Sequence, residues 1–465
     1  MSPYTRFYAG MLFPLQERLK GHWTQRALRD LEHTQWVDGE HLCELRLARL
    51  RRLLIHAGRT VPYYQRLFAE YGFDPQQVSS LSDLGSLPLL SKAEIRREPD
   101  AFRSSEAGSL VRSNTGGSSG EPLVFWLGRE RVTHDVAAKW RAMRWWGVDI
   151  GDPEIVLWGS PIELGAQDRR RALRDRLQRS TLLPAFEMSP EKVRGFIAAI
   201  RQRRPRMLFG YPSAVDHVAR AAEAAEERLD NLGIRVAFVT GETLYDDQRE
   251  RIARVFGCRV ANGYGGRDAG FVAHECPEDG MHVTAEDVIV EIVDPEGEVV
   301  PEGQAGEIVV THLASGDYPF IRYRTGDMAT MASNPCSCGR GLPMLQQVHG
   351  RATDFLVAQD GTVMHGLALI YVLRDLADVD AFRIIQEDLE HTRVAVVADG
   401  PLSKDSRRRI ETGFRERLGS MVHVDIEECE SLPLEASGKY RYVISRVMTR
   451  SAEPASARHV REDVR

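Results

Sequence analysis

The chain has 465 residues, 43% of them hydrophobic and 28% charged, with a net charge of −6. The apolar fraction is ordinary and the net charge small, which excludes a disordered chain, and the 39 Gly and 22 Pro are scattered without period, which excludes collagen-like and low-complexity classes. No apolar run reaches the roughly 18–20 residues that span a bilayer, and the slight acidic excess gives no global case for nucleic-acid binding.

At roughly 100–200 residues per domain, the length predicts two to four domains, large enough to bury a core without staples. Residues 1–20 hold aromatics but no clean apolar h-region, so no signal peptide is expected. Six Cys in such a chain make no disulfide framework; reduced thiols and a cytoplasmic location are expected.

Taken in chain order, Leu47, Leu50, Leu53 and Leu54 recur at helical spacing and predict a helix over 40–57. Pro62, Gly72, Pro75, Gly85 and Pro88 punctuate residues 61–92 into loops and short helices. The run Arg169, Arg170, Arg171, Arg174, Arg176 and Arg179, spaced by Leu173 and Leu177, reads first as a solvated helix face and second as a phosphate-docking or anionic-surface contact. Short apolar runs at 154–158, 207–210, 236–240 and 259–262 alternate with helical patterns such as 214–229 and 246–256. Strand–helix alternation of this kind predicts a parallel α/β sheet, with ligands beyond the carboxyl ends of its strands. Those ends are Gly210-Tyr211-Pro212, Thr240-Gly241-Glu242 and Tyr264-Gly265-Gly266. Residues 288–293, 307–311 and 321–323 read as an antiparallel β subdomain spanning 283–349. Residues 355–448 suit a small α+β domain, with β-like 393–397 and helical 404–418, and 449–465 a polar, frayed tail.

Four motifs carry chemistry. Ser113 to Pro122 is a Gly/Ser/Thr loop whose amides and hydroxyls suit a polyanion, although no Gly-Lys-Ser/Thr makes it a Walker loop. Tyr264-Gly265-Gly266-Arg267-Asp268 pairs a ring that can stack on a base with a carboxylate that can hold a cation on a phosphate. Arg322 to Asp327 ends on an Asp that can accept both hydroxyls of a ribose. Ser437-Gly438-Lys439 puts a Lys on a Gly hinge, able to reach a developing negative charge. Trp140, Trp145, Trp146, Phe186 and Tyr211 are candidates for an acyl pocket or for the core. His134 is open between site and core.

In order and spacing, these segments resemble the adenylate-forming superfamily of acyl-CoA synthetases and peptide-synthetase adenylation domains, and within it the phenylacetate–CoA ligase family. His56-Ala57, Thr60 to Tyr64, Leu87-Pro88, Ser91-Lys92, Thr115 to Pro122, Gly210 to Ser213, Gly241-Glu242, Tyr264-Gly265, Pro301 to Thr311, Pro319 to Asp327, Cys336 to Arg340, Gly350-Arg351 and Gly438-Lys439 carry it, over about residues 50–440. The resemblance implies a large N-terminal adenylation domain (1–350), a hinge (351–354, with Asp354) and a small mobile α+β lid. It implies an AMP-forming ligase. A carboxylate, hydrophobic or aromatic, is activated with ATP and Mg²⁺ and then passed to coenzyme A, or alternatively to an amine or a carrier thiol; the reading from another class is a nucleotide-binding, zinc-stabilised protein that has lost turnover and serves a partner complex. By position Thr115, Gly116 and Ser118 would hold phosphates, Gly241, Glu242, Tyr264 and Gly265 line the adenine, Asp327 with Arg351 take the ribose, and Asp268 and Lys439 be catalytic. Relatives are often dimers. Three departures stand out. Asp268 replaces the usual Glu, Glu121 stands where many relatives carry Lys, and residues 352–361 look more like the branch associated with capsular polysaccharide biosynthesis.

Cys276, His282, Cys336 and Cys338 make three thiols and an imidazole, a donor set suited to structural Zn²⁺, which some members of this branch carry at matching residues. His274 is the alternative imidazole.

Overall fold

The computed structural model describes residues 2–115, 123–158, 169–185, 187–242, 244–294, 296–348, 355–398, 400–432 and 443–447. An 11-stranded mixed sheet forms the body of the large domain. Its parallel half runs Ser180–Pro184, Glu154–Trp158, Met207–Gly210, Val236–Thr240 and Arg259–Gly266, in that spatial order. The inner strands are buried on both faces, as all-parallel pairing under helices requires. Pro212 opens the helix Pro212–Ala224, and Val215, Val218, Ala219 and Ala222 bury its inner stripe. The helix is shorter than the pattern over 214–229 predicts. The chain turns at Glu226, at φ 54°, and returns Leu229 to the core.

The antiparallel strands do not form a sheet of their own. Gly270–Glu275, Met281–Val283, Met344–Val348, Tyr323–Met331, Ala305–His312 and Val288–Val293 continue the parallel half strand by strand. Residues 321–322 lie outside the strand that begins at Tyr323. Arg322 sits at φ 52°, its guanidinium donating to the carbonyls of Leu87 at 2.6 Å and Gly297 at 3.0 Å. This half is strongly curled. Three strands separate Arg259–Gly266 from Tyr323–Met331, a span of about 19 Å in a flat sheet, yet side chains of the two strands hydrogen-bond. Register shifts at Tyr264/Gly265, Glu307/Val309 and Thr330/Met331 supply the bends.

In the smaller α+β domain, strands 423–428, 391–397, 381–386 and 443–445 form a four-stranded sheet. Helices Leu367–Arg374 and Lys404–Leu418 cover it around Leu369, Ile384, Val394, Ile410 and Phe414. A hairpin, 355–357 with 363–365, joins the two domains. Its second strand pairs with Glu187–Met188 of the large domain, while the Gln386 side chain brackets Val357 through both its amide N–H and carbonyl.

Candidate functional site

The parallel strands end at Trp158, Pro184, Gly210, Thr240 and Gly266, and the site builds outward from that edge. Tyr211 stacks on Trp158 with ring centroids 4.1 Å apart. Gly241 follows at φ 87°, and a Cβ there would meet the Tyr211 ring at 3.1 Å, so the backbone passes close under an aromatic wall. The Glu242 carboxylate accepts from the Ser213 hydroxyl.

Tyr264 lies across the curl. Its hydroxyl donates to Asp327 Oδ2 at 3.1 Å and reaches Thr325 Oγ1 at 3.4 Å. Burial, with the Asp327 charge beside it, holds the phenol protonated far above its ordinary range. Asp268 stands on the adjoining turn. Its Oδ2 accepts from the Tyr323 hydroxyl at 2.6 Å and lies 3.8 Å from Lys92 Nζ, and its Oδ1 accepts from the Ala269 amide. The Arg131 guanidinium ties down the Asp268 carbonyl, and Arg267 donates to the carbonyl of Asn114. A strand pair, Val111–Asn114 with Val124–Leu127, thereby brings Thr115 to this edge. The Thr115 hydroxyl accepts from the Leu123 amide at 3.0 Å and its own amide donates to the Leu123 carbonyl, closing the base of the loop between them.

Thr115, Gly241, Glu242, Tyr264, Gly265, Asp268 and Asp327 are thus anchored from the carboxyl edge and the turns beside it. Gly116, Ser118, Glu121, Phe186, Gly350, Arg351, Asp354, Lys439 and the segment 449–465 lie outside the described residues. Sequence reasoning gave no role to Tyr323, Lys92 or Trp158. Tyr323 and Lys92 reach Asp268 from positions 55 and 176 residues away along the chain, a pairing that only the curl creates.

The other aromatics proposed for an acyl pocket go elsewhere. Trp140 and Trp146 pack in the core. Trp145 donates to Gln35 and sets its ring against His282 and the Arg340 guanidinium.

His134 faces Asp287 rather than the strand ends, its Nδ1 at 2.8 Å from Oδ1, with Arg49 on the same carboxylate and Glu130 beyond. Burial pushes the imidazole down, but Asp287 outweighs it and the net shift is upward. The folded value lies above the ordinary one near 6.5, so His134 adds stability fully below about pH 6.5, and that contribution fades as pH rises through the folded value. The melting-temperature difference between the parent and His134→Gln should therefore shrink from about pH 6 to pH 8. A difference independent of pH would remove His134 from the linkage.

Cys276, His282, Cys336 and Cys338 converge, with all four donor atoms within 4.8 Å of one another. Cys276 Sγ lies 3.7 Å from Cys336 Sγ, and Cys338 Sγ 3.2 Å from His282 Nε2. A tetrahedral Zn²⁺ with Zn–S near 2.3 Å separates two sulfurs by about 3.8 Å, so the donor geometry fits. His282 Nδ1 sits 3.3 Å from the Leu342 carbonyl, which leaves Nε2 for the cluster. Burial, helped by Arg340 and Arg141, lowers the imidazole to about 4, so it is neutral and able to ligate. Burial raises the Cys276 thiol to about 12. At Cys338 the Arg340 amide and guanidinium outweigh burial and hold it below its ordinary value. His274 is not in the cluster; it pairs across the strands with His282 and stacks on Phe271. Gly280 closes the turn, where a Cβ would meet Cys336 Sγ and Met344 Sδ at 2.7 Å.

A family model described as AMP-binding enzyme matches residues 179–314, and one described as CapK C-terminal domain matches residues 356–446. The chain is 26% identical over 428 residues to phenylacetate-coenzyme A ligase of Pseudomonas putida, covering 88% of this chain and 95% of that protein. It is 21% identical to protein CapK of Staphylococcus aureus, over 87% of this chain and 90% of that one. Among solved structures, 2-hydroxyisobutyryl-CoA ligase in complex with 2-HIB-AMP and CoA superposes with a TM-score of 0.65 at 22% identity, covering 89% of this chain and 91% of that one, which establishes a shared fold.

Proposed function

We propose that the chain is an AMP-forming ligase of the adenylate-forming superfamily, similar to the phenylacetate–CoA ligases and to CapK in its C-terminal domain, which activates a hydrophobic or aromatic carboxylate and transfers the acyl group to coenzyme A. One observation carries this reading. Tyr264, Thr325 and Asp327 form one hydrogen-bonded group, with Asp268 beside it, at the carboxyl edge of a parallel sheet. That is a place for a nucleotide with its sugar on one carboxylate and its phosphates near another.

In the first half-reaction a substrate carboxylate oxygen attacks the α-phosphorus of ATP. The new acyl–O–P bond forms as the bond to the β-phosphate oxygen breaks, and pyrophosphate leaves. In the second, the CoA sulfur attacks the acyl carbon, loses its proton and expels AMP. The chain's work is positioning and charge. Thr115, with Gly116 and Ser118 of the same loop, is assigned to the phosphates. Gly241, Glu242, Tyr264 and Gly265 are assigned to the adenine face, and Asp327 with Arg351 to the ribose. The Trp158–Tyr211 stack supplies an apolar wall suited to the acid. Lys439 is assigned to the charge that develops as pyrophosphate departs. Asp268 would hold Mg²⁺, which supplies charge neutralisation on the phosphates; both its oxygens already accept from the chain. Cys276, His282, Cys336 and Cys338 would hold a structural Zn²⁺, with four protein donors and no open position. Residues 1–350 are assigned as the adenylation domain, 351–354 as its hinge and 355–448 as the lid.

A pyrophosphate-release screen over a carboxylate panel, with and without CoA, tests the reading. Release should need an apolar acid, and thioester should appear only with CoA. No release with any acid overturns it, and transfer to an amine or a carrier thiol in place of CoA corrects the acceptor. In the same assay Asp327→Ala should raise the apparent ATP KM roughly ten-fold or more, because a charged acceptor to the ribose is lost from ground and transition states alike. Unchanged ATP affinity by calorimetry would reduce Asp327 to a partner of Tyr264.

A further inference from the structure

The first 23 residues and the arginine-rich helix beside them have no part in the chemistry above. Helices Pro3–Phe7 and Phe13–Leu19 are joined by a π-turn, Tyr8–Leu12, into one rod about 25 Å long. Tyr8 and Phe13 point inward and are buried in the large-domain core. Tyr4, Phe7, Met11, Leu15 and Leu19 point outward, with 36, 47, 61, 54 and 81% of their surface exposed. Their spacing of three, four, four and four residues is slightly longer than an α-helix keeps in line. The π-turn absorbs the excess, and it falls just before Pro14, which has no N–H to donate to the preceding turn. Single exposed apolar side chains are ordinary, but five in a line form a patch.

The flanks of this stripe are basic. Residues 1–30 contain Arg6, Arg18, Lys20, Arg26 and Arg29 against two acids: Glu17, which is buried and bonded to Thr24 and Lys20, and Asp30, 4.0 Å from Arg26. The helix Arg169–Gln178 lies alongside. Tyr4 donates to the Leu177 carbonyl at 2.6 Å, and the Arg179 guanidinium sits 5.3 Å from the Tyr4 ring. Residues 169–179 hold six arginines against one aspartate, in a chain whose total charge is −6. Leu173, expected as a spacer on a solvated face, is 59% exposed on this helix.

We propose that this face docks on an anionic lipid bilayer. The apolar stripe would enter the headgroup–acyl boundary, and Arg6, Arg18, Lys20, Arg176 and Arg179 would meet lipid phosphates. Charge decides the occupant. A second copy docked through the same patch would set arginines against arginines, whereas an anionic leaflet complements them.

The test is flotation of the full chain with vesicles of phosphatidylcholine containing about 30% phosphatidylglycerol, against phosphatidylcholine alone. Binding should favour the anionic vesicles and weaken in high salt. Met11→Asp/Leu19→Asp should lower it at least ten-fold, and Arg18→Glu/Arg176→Glu roughly five-fold or more per residue. Both variants should keep the parent's melting temperature and its pyrophosphate release, which separates docking from folding and from the proposed chemistry. Absence of flotation overturns the proposal, as does binding indifferent to either pair of substitutions. So does a solution dimer, or a complex with an acidic protein, that Met11→Asp/Leu19→Asp dissolves while vesicle binding is unchanged.

Discussion

Lys439→Ala should slow acyl-adenylate formation by roughly 10²–10³-fold while ATP still binds. The assigned interaction exists only as charge develops between the α- and β-phosphates, so the loss should fall on kcat and kcat/KM equally, with little change in KM. Thioester formation from supplied acyl-adenylate should be largely spared, because that step expels AMP without making pyrophosphate. Single-turnover measurement of each half-reaction checks this. A variant that releases pyrophosphate at the parent rate would take Lys439 out of the mechanism.

Removal of metal is the second large effect expected. The protein purified without chelator should carry about one zinc per chain, lost in Cys336→Ser together with roughly 5 °C or more of thermal stability. The reason is position. Cys276 follows Gly270–Glu275, His282 lies on Met281–Val283, and Cys336 and Cys338 precede Met344–Val348. These three strands stand between the strands of Tyr264 and Asp327. A metal there would pin the curl that brings Tyr264 to Asp327, so activity should decline through loosened nucleotide binding and not through chemistry. Protein without stoichiometric metal, or with Cys276 and Cys338 both reacting readily with a thiol reagent in the native state, would defeat the zinc assignment.

Much of the fold was legible because it is written in local pattern. The apolar runs at 154–158, 207–210 and 236–240 are strands with those bounds, and the helix 404–418 falls where its periodicity puts it. The Cys and His positions were legible as a candidate donor set because three thiols and an imidazole make up the full ligand set of a structural zinc. The curl was not legible. It depends on three register shifts and on one sheet running through both halves, and alternation within a strand says nothing about which strand comes next to it. Lys92 and Tyr323 were missed for the same reason: what matters about them is where the curl brings them, beside Asp268. The sequence put His282 in the donor set and left His274 as the alternative, and the fold shows why the first holds. The two oppose each other across one strand pair, and the His282 Nε2 contact with Cys338 Sγ, with Nδ1 turned to the Leu342 carbonyl, shows which imidazole faces the thiols.

The hairpin between the domains has unequal attachments. On one side the Gln386 amide grips the backbone of Val357 at 3.0 and 2.6 Å, inside a well-packed core. On the other, among the described residues, a two-residue ladder joins Val363 and Met364 to Met188 and Glu187. Backbone bonds at such an edge contribute roughly 0.5–1.5 kcal/mol each, since water replaces them on opening. A lid turning about residues 351–354 would therefore part along the 187–188 seam and carry the hairpin with it. In such a motion the seam would be the cheaper break, and the grip at Gln386 the one kept.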